Sequence, residues 1–119
     1  MIPNEASIQK AIIEYMAAVI PSALVWAVPN AAVRRKDGKA GNAVPGLRKG
    51  VYDLSILFAD GQFAAIEVKR SGIGHLSEAQ IEFAAQLMFR GVPSCVARSV
   101  DDVRLFLSSI GRKTKEAKK

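Results

Sequence analysis

The chain has 119 residues, half of them hydrophobic, with a formal net charge of +6, one cysteine and one histidine. That length gives one domain with room for a proper core. A lone cysteine excludes a disulfide framework and a cysteine-rich zinc cluster, and no apolar run approaches the ~20 residues a membrane span needs.

Asn4 is a good helix N-cap, and residues from Glu5 to about Ile20 read as a helix closed off by Pro21. Ile8, Ala11, Ile12, Tyr15, Met16 and Val19 fall on one stripe. With about 100° per residue, Glu5 lies about 50° from the middle of that stripe and Glu14 about 130° away. Glu5 is therefore expected on the core-facing side of the first turn, and Glu14 toward solvent. Leu24 to Val28 reads as a short strand, in which Trp26 is expected as a core residue or, alternatively, as a base-stacking one.

From Pro29 to Gly50 runs a stretch with Gly38, Gly41, Pro45 and Gly46 and no clear periodicity. Loops of this length inside a compact domain are usually functional or disordered, and a hidden helical turn is expected near Ala43 to Lys49. The stretch carries Arg34, Arg35, Lys36, Lys39, Arg48 and Lys49 against Asp37 alone. That cluster suits a polyphosphate backbone, the plainer alternative being a solvated loop. Asn30, at its start, reads as a turn former or as a residue approaching the site.

The segment Val51 to Lys69 reads as a β-hairpin. Apolar Leu54, Ile56 and Phe58 alternate on the first strand, and Ala64, Ile66 and Val68 on the second. If those sets share a face, facing residues must have numbers that sum to an even value, which demands an odd-length loop. Ala59-Asp60-Gly61 supplies it, with glycine at the left-handed position. Leu54 then faces Ile66, and Asp53 faces Glu67 on the other side of the ribbon, with Cβ atoms roughly 5 Å apart. Lys69, two residues on, points to that same side.

Ser71 to Leu76 reads as a loop in which His75 is a surface residue or a substrate contact. Ser77-Glu78-Ala79-Gln80 is a capping-box pattern opening a helix through Arg90, with Ile81, Ala84, Leu87 and Met88 on its apolar face, Gln80 near the edge and Gly91 as terminator. A strand through Cys95 comes next, the thiol expected to pack, then a helix from about Val100 to Ile110. The domain is expected to span residues 1–111, leaving 112–119 as a basic, disordered tail. The order α-β-β-β-α-β-α implies an α/β fold, a small mixed sheet flanked by helices.

Two facing carboxylates repel, so a sheet normally avoids them. A hard divalent cation removes the objection: Mg²⁺ takes a few carboxylate oxygens and leaves positions open for a phosphate. A lysine beside such a site orients water and stabilises growing negative charge. Asp53 with Glu67 and Lys69 is thus a toolkit for metal-dependent phosphodiester hydrolysis, whereas Glu-x-Lys alone is common on any solvated strand.

The order of elements and Asp53…Glu67-Val68-Lys69 resemble the PD-(D/E)xK nuclease superfamily, with its restriction-endonuclease-like core. Within it the chain is similar to a stand-alone virus-type replication-repair nuclease (VRR-NUC) domain. The matching segments are Glu5-Ala6-Ser7-Ile8-Gln9, Gly50-Val51-Tyr52-Asp53-Leu54, Ile66-Glu67-Val68-Lys69, Leu76-Ser77-Glu78-Ala79-Gln80 and Gly91-Val92-Pro93. The resemblance implies that Glu5, Asp53, Glu67 and the Val68 carbonyl ligate Mg²⁺ or Mn²⁺, as one or two ions. It also implies that Lys69 acts on the attacking water and that Gln80 orients neighbouring groups. Tyr52 stands where the family usually has proline, and its hydroxyl offers a reach toward phosphate.

The expected function is a metal-dependent DNA endonuclease, structure-selective for branched or four-way junction DNA. It is expected to act as a homodimer in phage or prophage replication, recombination or repair, in the cytoplasm of a bacterial or phage-infected cell. The alternatives are a non-catalytic nucleic-acid-binding module on the same fold, and a nuclease acting on RNA or single strands.

Overall fold

The computed structural model describes residues 3–29, 45–72 and 74–116. Asn30, Arg34, Arg35, Lys36, Lys39, Ala43, Ile73, Lys118 and Lys119 lie outside the described residues. The elements are α1 (Glu5–Val19), β1 (Leu24–Ala27), β2 (Leu54–Leu57), β3 (Phe63–Val68), α2 (Glu78–Phe89), β4 (Ser94–Ala97) and α3 (Val100–Ser109), in the expected order.

The sheet runs β1-β2-β3-β4. Neighbours β1–β2 and β2–β3 are antiparallel, while β4 joins β3 in parallel after the crossover through α2. The β2–β3 register is set by its turn: Phe58 N–H donates to the Gln62 carbonyl (2.9 Å) and Gly61 N–H to the Phe58 carbonyl (2.9 Å). This leaves Ala59, Asp60 and Gly61 as the three-residue loop, with Gly61 at φ +91°. Leu54 consequently faces Ile66, and Ile56 faces Ala64.

One sheet face is the core. Leu54, Ile56, Ala64, Ile66 and Val68 meet Ile8, Ile12, Met16 and Val19 of α1 and Val103, Phe106 and Leu107 of α3, all buried. The α1 stripe is thus the one its spacing predicts, and Asn4 caps the helix by accepting from Ser7 N–H at 2.8 Å. Strand alternation then sends Glu67, between Ile66 and Val68, to the opposite face, where α2 lies.

Two expectations about buried surface are corrected. Ile81 and Met88 of α2 are exposed (55% and 78%), as is Phe89. The inward stripe is instead Gln80, Phe83, Ala84 and Leu87, at i, i+3, i+4 and i+7. Gln80 reaches the carboxylate of Glu67 and Phe83 lies against Tyr52. These contacts turn the helix so that a polar residue lies within its half-buried face, which apolar patterning cannot register. In β1, an edge strand, Leu24 and Trp26 are exposed (62% and 42%) because the register sets Val25 opposite core Ile56 and turns them to the other face. Trp26 meets Phe63 edge-on, with ring centroids 6.0 Å apart.

Residues 112–116, expected as the start of a tail, run back along the body. The Arg112 guanidinium stacks over the Phe58 ring at 4.0 Å and donates to Asp60 at 2.9 Å. Lys115 N–H donates to the Val19 carbonyl (2.8 Å), and the Glu116 carboxylate accepts from Arg104 Nε (2.9 Å) and from the Tyr15 hydroxyl. Burial and that carboxylate push the Tyr15 hydroxyl up to about 12, so it remains a donor.

Ile66 is fully buried between the two helices and the neighbouring strands. Ile66→Ala is expected to destabilise the protein by about 3 kcal/mol, read from the midpoint of urea unfolding.

Candidate active site

The site begins where the hairpin ladder ends. Leu54 and Ile66 are its last paired residues, and beyond them side chains take over the role of the backbone. Asp53 N–H donates to Glu67 Oε1 (3.2 Å), and Val68 N–H donates to Asp53 Oδ2 (2.8 Å). Each acid thus accepts a main-chain N–H from the other strand, a charge-assisted bond that offsets part of the repulsion between the two. Asp53 is fixed from its other side as well, because its carbonyl accepts Val28 N–H at 2.7 Å next to β1.

Glu67 is 2% exposed. Burial in the first place, and the Asp53 carboxylate in the second, push its pKa up to about 7, against the pull of Lys69. The Lys69 ammonium lies 3.2 Å from Glu67 Oε2 with its side chain 13% exposed. Gln80 Nε2 donates to that same oxygen at 2.7 Å. The amide is spoken for at both ends: Gln80 Oε1 accepts Ser77 N–H (2.9 Å), while Ser77 Oγ accepts Gln80 N–H (3.1 Å). The capping box and the contact with Glu67 are therefore one device, since the cap fixes which face of the amide donates.

Gly50 brings these elements together. It stands at φ +85°, and a Cβ there would lie 2.2 Å from the Ala79 carbonyl oxygen. Only a residue without a side chain lets the approach to Asp53 cross so close to the first turn of α2. Tyr52, next to Asp53, is 2% exposed and packs on Phe83 with centroids 5.6 Å apart. The reach toward phosphate read from its sequence position is thereby corrected: its hydroxyl is turned into the body. Burial, then Glu67, raises its pKa.

A groove of about 550 Å³ opens beside Asp53, walled by Glu5, Ala6, Gln9, Lys10, Ile13 and Glu14 of α1. Glu5, expected on the core-facing side of the first turn, is corrected: it is exposed on that wall, and Glu14, exposed to solvent as expected, lines the same groove. Hydrogen bonds and an ion pair join Asp53, Glu67, Lys69 and Gln80 into one cluster, whereas Glu5 stands across the groove. Among the described residues, no three His, Cys, Asp or Glu side chains come close enough together to cage an ion. Arg48 and Lys49 are exposed just before Gly50, and His75 is exposed. Cys95 is half-buried against the core, and burial pushes its thiol up to about 12, so it packs as an uncharged group.

A family model described as the VRR-NUC domain matches residues 5–101, a stretch that contains every member of this cluster. The chain belongs to the VRR-NUC family. It carries the fold of a nuclease domain family, and the structure is similar to a solved one titled "VRR_NUC domain". The TM-score is 0.58 at 20% sequence identity, covering 87% of this chain and 94% of the other. Among curated proteins, the chain matches none. No helix among the described residues of this VRR-NUC domain is long and apolar enough to cross a membrane.

Sequence reasoning passes over Gly50 as a site-building residue. Its signal is a glycine immediately before Val51-Tyr52-Asp53, a place where a strand would tolerate any small residue. Gly50→Ala is expected to cost about 3 kcal/mol or more, since left-handed strain adds to a backbone clash. Gly61→Ala, equally left-handed but with nothing within 4 Å of the added Cβ, is expected to cost about 1 kcal/mol. Denaturant midpoints of the two variants check the difference.

Proposed function

We propose that this VRR-NUC domain is a metal-dependent endonuclease that hydrolyses DNA phosphodiester bonds, with Asp53, Glu67 and Lys69 as catalytic residues and Gln80 holding Glu67. One observation carries the reading: a buried carboxylate, a second carboxylate bonded across from it and an ammonium 3.2 Å away, at the splayed end of a hairpin beside an open groove.

The donor set fits Mg²⁺ or Mn²⁺. Its ligands are hard oxygens, and a buried glutamate whose charged form is disfavoured by burial and by a second acid is a group in need of a counter-charge. Asp53 and Glu67 would hold the ion together with the Val68 carbonyl. In an extended strand a residue's C=O points the same way as its N–H, and Val68 N–H points at Asp53. Glu5 would approach from the facing wall of the groove. The chemistry such an ion supplies is easier ionisation of the attacking water and neutralisation of charge on the phosphate.

The protein's own groups do the rest. In hydrolysis the water oxygen bonds to phosphorus as the bond to one ester oxygen breaks in line, and the departing oxygen takes up a proton. Lys69 orients the water and stabilises the extra negative charge, its direction set by the contact with Glu67. Gln80 keeps the Glu67 carboxylate from rotating. Arg48 and Lys49, together with Arg34, Arg35, Lys36 and Lys39, bind the phosphate backbone. A domain of this size has little surface for reading bases, so it selects by DNA shape. A homodimer presents two sites to a branched or four-way junction during phage or prophage replication, recombination or repair.

Glu67→Ala and Lys69→Ala are expected to lower cleavage by at least about a hundredfold while gel-shift affinity for DNA stays within about twofold. Full cleavage by both purified variants would rule the mechanism out. A panel of duplex, flap, four-way junction and RNA substrates, each with Mg²⁺, Mn²⁺ or EDTA, reads the substrate class directly. Cleavage of RNA alone, or binding without any metal-dependent product, overturns the DNA endonuclease reading. Mg²⁺ or Mn²⁺ is also expected to raise the melting temperature of the wild type and to leave that of Asp53→Asn unmoved.

A further inference from the structure

Lys69 leaves the sheet at the end of β3, and its aliphatic stem must be held for its ammonium to stay on Glu67. Its backbone is secured by Lys69 N–H donating to the Ala97 carbonyl at 3.0 Å. The side chain is secured by something else. A Cβ built on Gly74 would lie 3.0 Å from Lys69 Cδ and 3.1 Å from Lys69 Cβ, so the Gly74 backbone rests directly on the lysine stem. The turn that brings Gly74 back is closed only weakly by its own backbone, Gly74 N–H to the Arg70 carbonyl at 3.5 Å.

The strong closure comes from Arg98, the residue after β4. One terminal nitrogen of its guanidinium donates to the Arg70 carbonyl at 2.6 Å and the other to the Gly74 carbonyl at 2.7 Å. The arginine is itself anchored, because its N–H donates to Asp102 Oδ2 at 2.7 Å in the first turn of α3. A planar fork with two parallel donors fixes the spacing of two carbonyls in a way that a single ammonium cannot.

We propose that Arg98 is a positioning residue for Lys69: by clamping the Arg70 and Gly74 carbonyls it presses Gly74 onto the lysine stem and restricts the ammonium to the place beside Glu67. The value of the clamp to catalysis rests on the nuclease reading above, whereas its effect on the lysine does not. Arg98 touches neither Glu67 nor Asp53 in any of these bonds and acts only through Lys69.

The test uses the full chain with Arg98→Met, Arg98→Lys and Gly74→Ala. Gly74 does not occupy the left-handed region, so alanine there perturbs the contact with Lys69 and not the backbone preference. The first readout is the rate at which an amine-acylating reagent modifies Lys69, followed by peptide mass spectrometry with exposed Lys10 and Lys113 as internal references. Slow modification in the wild type, rising toward the rate of Lys10 in all three variants, is the expected result. The second is steady-state cleavage of DNA: kcat falls by about a hundredfold while KM stays within about twofold, as for a misplaced catalytic group. If Arg98→Met does not fold, Gly74→Ala decides alone. Unchanged Lys69 reactivity in Gly74→Ala and in the folded Arg98 variants overturns the proposal, as does wild-type behaviour of Arg98→Lys in both readouts. If the wild type cuts no DNA, the nuclease reading fails, and Lys69 reactivity still decides this inference.

Discussion

Two acidic side chains, each bonded to a main-chain N–H across the hairpin, are the constraint around which the molecule is arranged. Asp53 lies across from Glu67 because an odd-length turn puts Leu54, Ile56, Ala64, Ile66 and Val68 together on the core face and turns the alternate residues, Glu67 among them, to the other. Their mutual repulsion, added to the desolvation of Glu67, costs free energy that an ordinary structural pair would not need to bear. Main-chain N–H groups, Lys69 and the Gln80 amide offset part of that cost. These supports come from the approach to β2, from β3 and its end, and from α2, and that requirement fixes how α2 turns, where Gly50 passes and how the chain leaves β3.

Much of this was legible in the chain. Period-2 alternation on two short runs, joined through Ala59-Asp60-Gly61, determines which residues meet, and the structure pairs Leu54 with Ile66 as that arithmetic requires. Helical spacing marks Ile8, Ile12, Met16 and Val19 as the buried face of α1. Ser77 and Gln80 announce a capping box, and one is there. These are local signals, written within a few residues of where they act.

The features that escaped are written at long range. Gln80 lies within the half-buried stripe of α2, and no apolar periodicity marks a polar residue whose partner lies on β3. Ile81 and Met88 consequently pass for core residues in the sequence and stand exposed in the structure. Arg98 looks like any basic residue after a strand; its meaning depends on two carbonyls reached only through the β3–α2–β4 crossover. Arg112 likewise passes for the start of a solvated tail, until the ring of Phe58 on the hairpin provides a platform for it.

The sheet's first strand gives the protein a native optical probe. Trp26 is the only tryptophan in the chain. It is partly open to water, and its strand is tied to Asp53 through the bond from Val28. Its fluorescence therefore arises two residues from the bond to Asp53 and in contact with solvent. Quenching and spectral shifts of that emission can track events at this end of the sheet without any attached dye.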